Sequence, residues 1–273
     1  MTQAIAEQFD EAGWAMVRDV VSRDTVRRLR EHFLPIFERG GMTVLHDAIL
    51  HYPDVYDVFS TPALVEALTA VLGRNFAVPP YSSVAYNGFG FFHTDTTGAE
   101  LSGQTYHKDP AFRILTVGIY LQDNDAWGGG IRLAPGSHRE PDRYVELMKW
   151  KAELRRQVAA SRMKQLLQRV SRGRLYDWSR PFEEHPRGID IQSKAGDVVM
   201  WDLRMAHRAS PRRRTGPPPG GGKVALFFNC GVNNAVTTDA YMKYVTSIPE
   251  NDFLRKERPR PPRTGGAAPF IVL

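Results

Sequence analysis

The sequence of 273 residues contains a single cysteine, Cys230, and this scarcity excludes several classes of protein. One cysteine forms no internal disulfide and supplies no cysteine-based zinc or iron–sulfur site. We therefore expect a protein of a reducing compartment, and we interpret Cys230 as a small buried hydrophobe.

Long apolar runs are also missing. No stretch approaches the roughly 18–20 continuous apolar residues of a membrane span. The first residues, MTQAIAEQFDEAGW, carry acids where a secretory signal needs a basic and then an apolar stretch. We therefore expect a cytoplasmic protein with no membrane contact.

The net charge of +6 comes largely from one internal segment, residues 143–187, which holds twelve Lys/Arg against five Asp/Glu. A protein evenly covered with basic residues for binding nucleic acid would have them distributed along the whole sequence. The sequence also shows no nucleic-acid recognition motif. The pattern indicates a basic helical feature over a site for a small, acidic ligand.

Helical periodicity occurs in three places. After Ser22, apolar residues recur at spacings of three and four to about Arg39, and Pro62 opens a second run that ends near Gly73. A third run predicts a helical insertion around 140–180, packed on the protein or, as the alternative, lying on a membrane surface. The Pro/Gly/Arg-rich tail, about 255–273, is predicted to be irregular.

Short apolar runs between glycine and proline turns follow from about residue 78. They include FRILTVGIYL at 112–121, IRL at 131–133, VVMW at 198–201 and KVALFF at 223–228. Short strands between turns predict an antiparallel β-barrel or jelly roll. The length suits a single domain over 1–273.

The sequence contains two copies of the motif His-x-Asp, at His93–Asp95 and at His107–Asp109. In an extended chain residues i and i+2 project to the same side, so the imidazole and the carboxylate of one copy can face one metal ion. We interpret the second copy as the metal-binding one, because it directly precedes the strongest predicted strand. We interpret the first copy as a loop or a substrate-side contact. His207, after the VVMW strand, would complete a set of two histidines and one carboxylate, which is typical of non-haem Fe(II) oxygenases.

The segments YHKDPAFRILTVGIYLQDNDAWGGGIRLAPGSHR and AGDVVMWDLRMAHRASP resemble the phytanoyl-CoA dioxygenase family of Fe(II)- and 2-oxoglutarate-dependent oxygenases. The likeness runs from about residue 10 to 234. It implies a mainly β fold, a cupin-like jelly roll or double-stranded β-helix, with N-terminal helices. It also implies that His107, Asp109 and His207 bind iron, with 2-oxoglutarate and O2 as co-substrates.

The resemblance also points to contacts for 2-oxoglutarate. Gln104 falls where this family often contacts it. The family's arginine for the distal carboxylate is missing from the start of the strand after His207, where Lys223 stands. Arg213, with its neighbours Arg212 and Arg214, is the alternative. An arginine fork suits a carboxylate better, but we favour Lys223 because a strand fixes geometry, whereas loop charges usually lie at the surface.

The resemblance implies hydroxylation of a small-molecule or natural-product substrate, with release of succinate and CO2. Asp109 argues against halogenation, because related halogenases lack this carboxylate. A desaturase or cyclase that uses the same iron site remains an alternative, as does a non-catalytic jelly-roll binding protein. An oxygenase that acts on nucleic acid is a third alternative. The sequence does not indicate the oligomeric state.

Overall fold

A computed structural model of the chain describes residues 2–40, 43–46, 48–79, 81–88, 90–170, 182, 184–216, 220–251 and 270–273. The described α-helices are α1 Thr2–Ala12, α2 Arg23–Gly40, α3 Ala48–His51, α4 Pro53–Phe59, α5 Pro62–Leu72, α6 Thr97–Leu101, α7 Arg143–Ala159, α8 Arg162–Val170 and α9 Met242–Ser247. The strands are β1 Trp14–Val17, β2 Val44–His46, β3 Phe76–Val78, β4 Ser82–Tyr86, β5 Ile114–Tyr120, β6 Ile131–Leu133, β7 Ile189–Asp190, β8 Val198–Asp202, β9 His207–Ala209, β10 Val224–Gly231 and β11 Phe270–Val272.

The two predicted N-terminal helices are present as α2 and α5. The Ser22 hydroxyl accepts a hydrogen bond from the amide of Thr25 at 3.1 Å and so caps the first turn of α2. The periodic apolar residues of α2 are buried. Helix α5 begins at Pro62 and ends before Gly73, whose φ of 82° is the left-handed conformation that glycine adopts without strain.

The strands form two sheets. The larger one runs in the order β1-β8-β5-β10-β3-β11, with β4 also paired to β10 and β2 to β4, and the smaller one runs β7-β6-β9. All neighbours are antiparallel except β11, which pairs parallel to β3. Tyr120, Trp201 and Ala225 of the larger sheet pack with Ile131 and Leu133 of the smaller one. The predicted jelly roll is therefore confirmed.

The alternation of side chains along strand β10 and the preceding Lys223 places one set of residues in the interior between the two sheets. Side chains alternate between the two faces of a strand. One set is buried against the N-terminal helices: Val224, Leu226, Phe228 and Cys230. The opposite set faces the interior between the sheets: Lys223, Ala225, Phe227 and Asn229. The interpretation of Cys230 as a buried hydrophobe is confirmed, and burial raises the pKa of its thiol.

The predicted helical insertion begins with α7 and α8. Asp142 caps α7 by accepting a hydrogen bond from the Tyr144 amide at 2.8 Å, and Tyr144 is buried. The part of the insertion from residue 171 to 181 lies outside the described residues. Among the described residues no single helix is long and apolar enough to cross a membrane, although α4 and α5 pass that test together as a bent pair.

The tail departs from the sequence-based expectation at its end. Most of the predicted irregular segment lies outside the described residues, but Phe270–Val272 form strand β11. The register places Ile271 opposite Ala77 of β3. The overall Pro/Gly/Arg composition of the tail hid a terminal apolar stretch, FIVL, whose aromatic and β-branched residues favour a strand.

Candidate metal centre and cavity

A cavity of about 540 Å³ opens in the interior between the two sheets. The inward residues of β10 form one wall, and Thr116, Tyr120 and Trp201 of β5 and β8 continue it. Tyr241, immediately before α9, and Tyr244, within α9, line the same space. The jelly roll therefore gathers strand residues and one helix around a single concave site.

Three potential metal ligands meet at the cavity: His93, Asp95 and His207. Their ligand atoms all lie within 4.8 Å of one another. Oδ1 of Asp95 lies 3.8 Å from Nε2 of His93 and 3.7 Å from Nε2 of His207. No other cluster of three or more such groups was found within the described part of the chain.

The main chain holds the two histidines opposite each other. The amide of His93 donates to the carbonyl of His207 at 3.0 Å, and the amide of His207 donates back at 2.9 Å. The amide of Asp95 donates to the carbonyl of Leu203 at 3.1 Å. His93 therefore pairs with His207 in an isolated antiparallel bridge, and the turn that follows is tied to Leu203 at Asp95, so that all three side chains meet at the cavity.

A hydrogen bond at Nδ1 orients each imidazole. Nδ1 of His93 lies 2.8 Å from the carbonyl oxygen of Phe91, and Nδ1 of His207 lies 3.0 Å from that of Met205. Because a carbonyl oxygen only accepts, Nδ1 carries the proton and Nε2 keeps its lone pair for a metal. Burial lowers the pKa of His207, although Asp95 has the opposite effect. The lowered pKa favours the neutral imidazole, which is the form that binds a metal. Two neutral imidazoles and one carboxylate suit Fe(II).

The structure corrects the predicted choice of His-x-Asp motif, because it does not bring His107 and Asp109 to His207. Residues Tyr106–Lys108 form a 3₁₀ turn, so the same-side rule for an extended chain does not apply. Nε2 of His107 pairs with Glu100 at 3.1 Å. Oδ1 of Asp109 accepts a hydrogen bond from the Ala111 amide at 2.7 Å.

Of the residues predicted to contact 2-oxoglutarate, Lys223 lines the cavity. Its side chain is 6% exposed, and its Nζ donates to the carbonyl of Asp123 at 3.1 Å and to Oδ1 of Asp125 at 2.8 Å. An ammonium has three donors, so one remains for a bound carboxylate.

Gln104 and Arg213 do not line the cavity. Gln104 is exposed, and its backbone N–H donates to the carbonyl of Ala99 at 2.9 Å. Arg213 is 64% exposed and pairs with Asp190 in a separate groove. Both residues lie in exposed loops. Neither the family position of Gln104 nor the positive charge of Arg213 therefore brings the side chain into the interior of the jelly roll.

Sequence reasoning missed three polar residues near the triad: Thr116, Asn229 and Tyr241. Thr116 lies within an apolar strand that offered no signal. The alternation along β10 does place Asn229 on the same face as Lys223, so this residue was available to sequence reasoning.

Two neutral imidazoles and one carboxylate inside a jelly roll define the class of non-haem iron oxygenases. A model of the family "Phytanoyl-CoA dioxygenase (PhyH)" matches residues 9–217, and the chain belongs to this family. The protein is therefore a 2-oxoglutarate-dependent oxygenase, with Fe(II), 2-oxoglutarate and O2 as its cofactor and co-substrates.

Solved structures share the fold at low sequence identity. The epimerase SnoN from nogalamycin biosynthesis is 13% identical, with a TM-score of 0.57 over 97% of this chain and 94% of that one. The carbocyclase SnoK from nogalamycin biosynthesis is 15% identical, with a TM-score of 0.56 over 97% and 94%. EctD from S. alaskensis with bound Fe is 15% identical, with a TM-score of 0.55 over 83% and 75%. None of the curated proteins matches the chain.

Proposed function

We propose that the protein holds Fe(II) through His93, Asp95 and His207 and hydroxylates a small-molecule substrate, with release of succinate and CO2. The observation that supports this proposal is the convergence of the three ligand atoms within 4.8 Å. They lie on a cavity that a buried lysine also lines. Iron and 2-oxoglutarate, when bound, supply the oxygen activation that no side chain provides.

The chain's own contribution begins with Lys223, which we assign to the distal carboxylate of 2-oxoglutarate. Lys223 immediately precedes β10, whereas Asn229 lies near the end of that strand and contacts Thr116, the hydrogen-bond partner of Asp95. The ammonium and the triad therefore lie toward opposite ends of one row of inward residues. A dicarboxylate between them would meet a cation at one end and the metal at the other.

The substrate is assigned to the end of the cavity around Tyr241, away from Lys223. The side chains that pack there are uncharged: Tyr81, Leu203, Tyr244 and Val245. Burial raises the pKa of Tyr241 and of Tyr244, so both hydroxyls stay protonated at neutral pH. This lining suits a largely apolar molecule with a few polar groups. The charge of residues 143–187 suggests an acidic substrate. The acidic groups of such a substrate would contact this basic segment outside the Tyr241 end of the cavity.

Small-molecule ligands in the solved structures support the same substrate class. One structure of SnoN is a complex with Fe3+, alpha ketoglutarate and nogalamycin RO, and one of EctD contains 2-oxoglutarate and 5-hydroxyectoine. Since SnoN is described as an epimerase and SnoK as a carbocyclase, epimerisation or ring closure at the same site is the second candidate.

The two copies of His-x-Asp provide a matched test. The protein is reconstituted anaerobically with Fe(II) and 2-oxoglutarate, and succinate is measured after O2 is admitted. We expect His93→Ala and Asp95→Ala to lose succinate release, because each removes a metal ligand. We expect His107→Ala and Asp109→Ala to retain it. The opposite pattern would refute the ligand assignment, and an iron-loaded wild type that releases no succinate would refute the proposed activity.

A further inference from the structure

The Asp95 carboxylate uses its two oxygens differently. Oδ1 faces the two imidazoles, and Oδ2 lies 3.1 Å from the hydroxyl of Thr116. Thr116 is 6% exposed and lies in the middle of β5. A carboxylate only accepts and a hydroxyl has one proton, so Thr116 donates that proton to Asp95.

Asn229 continues this contact into β10. The strand register places it opposite Thr116. One end of its side-chain amide lies 3.1 Å from the Thr116 hydroxyl, and the other end lies 2.5 Å from the hydroxyl of Tyr241. In the structure the amide oxygen of Asn229 faces Thr116 and the amide nitrogen faces Tyr241. Because the single proton of Thr116 goes to Asp95, we assign the amide the reverse orientation, in which the NH2 donates to Thr116 and the carbonyl accepts from Tyr241. All hydrogen bonds then run in one direction, from Tyr241 to Asp95.

The hydroxyl of Tyr241 starts this chain from a well-fixed position. Tyr241 is 2% exposed and ends a π-helical turn, Val236–Tyr241, immediately before α9. Such turns are rare and frequently occur at functional sites. The burial that raises its pKa keeps the hydroxyl protonated, and therefore a donor. The next residues, on α9, include Tyr244 and Val245, which line the cavity where we assign the substrate.

We propose that Tyr241 and Asn229 are positioning residues, which act through Thr116 to hold the Asp95 carboxylate in its metal-binding orientation. This inference rests on the proposed role of Asp95 as a metal ligand. Without this series of hydrogen bonds, Oδ2 of Asp95 loses its fixed partner and the carboxylate gains freedom to rotate away from the histidines. Hydrogen-bond partners of metal ligands typically change metal affinity by about 10- to 100-fold when they are removed.

The test measures metal affinity and needs no substrate. Metal-free protein is titrated with Co(II), and binding is followed by the visible absorption of the bound ion. Tyr241→Phe removes only the hydroxyl, and we expect affinity to fall by about tenfold or more. Tyr244→Phe is the matched control: it removes a hydroxyl from the same cavity but not from this chain, and we expect a change below about twofold. Melting temperatures of both variants are recorded in parallel.

Thr116→Val provides an independent arm, because valine keeps the shape of threonine and removes the donor to Asp95. We expect it to weaken Co(II) binding at least as much as Tyr241→Phe, and the double variant to be no weaker than Thr116→Val alone. Wild-type affinity in both Tyr241→Phe and Thr116→Val would overturn the proposal. Wild-type affinity in Asp95→Ala would instead overturn the ligand assignment, so the two failures are distinguishable.

Discussion

Lys223 allows a quantitative test of how the co-substrate is held. Lys223→Met keeps an apolar stem of similar length and removes the ammonium. The ion-pair partner Asp125 is 37% exposed and can return to water, but the Asp123 carbonyl also loses its donor, so we expect the substitution to cost about 1–3 kcal/mol of folding free energy. A hydrogen bond to a charged group contributes about 1.5–3 kcal/mol. At about 1.4 kcal/mol per tenfold change, the loss of this bond predicts 2-oxoglutarate binding that is roughly 10- to 150-fold weaker.

The assay is anaerobic calorimetric titration of the Co(II)-loaded protein with 2-oxoglutarate. Arg213→Met is the control, because that exposed guanidinium pairs with Asp190 away from the cavity. We expect the control to bind 2-oxoglutarate like the wild type, and Lys223→Arg to recover part of the lost affinity. Unchanged affinity in Lys223→Met would refute the assignment. A comparable loss in Arg213→Met would move the role to the loop that follows β9.

Two further predictions concern the packing around the site and its response to pH. A Cβ at Gly118 would lie 2.9 Å from the Trp201 ring, whose centroid is 5.3 Å from that of His207. We therefore expect Gly118→Ala to lower the free energy of unfolding in urea by about 1–3 kcal/mol and to weaken Co(II) binding, whereas Gly88→Ala, with open space around it, has little effect. Equal unfolding curves for the two variants would contradict this. Burial lowers the pKa of His138 below its ordinary value of 6.5, so below that pH the unfolded chain binds more protons than the folded one. The free energy of unfolding then decreases as the pH falls, by at most about 1.4 kcal/mol per pH unit, and His138→Gln should flatten this slope between pH 7.5 and 5.5. An unchanged pH dependence of the free energy of unfolding in His138→Gln would show that His138 is not its source.

Local patterns predicted much of the fold. The capping Ser22 and the spacing of apolar residues after it predict α2, and Pro62 with Gly73 brackets α5. The runs FRILTVGIYL and KVALFF contain β5 and most of β10, because a short apolar run between turn residues is typical of a strand buried on both faces. The terminal strand β11 was missed because its composition was averaged with that of the preceding proline- and arginine-rich residues.

The site was predicted only in part. His207 lies in the triad, and Lys223 lies on the cavity, as the residues and the family resemblance implied. The structure brings His93 and Asp95 to His207 instead of the predicted His107 and Asp109, a choice that depended on nearness along the chain to a strong strand. Neither copy of His-x-Asp reveals which distant segment its backbone pairs with, and that pairing decides whether its side chains reach His207.

The sequence by itself indicated the class of chemistry through its His-x-Asp motifs, His207 and the family resemblance, and its strand pattern predicted an antiparallel barrel or jelly roll. The tertiary structure decided which copy of a repeated motif takes part. Reciprocal amide bonds between His93 and His207, more than a hundred residues apart, place the first copy of the motif beside β9. Residues 106–108 instead close into a 3₁₀ turn. Pairing between distant segments is a property of the folded chain, so no local pattern could have distinguished the two copies.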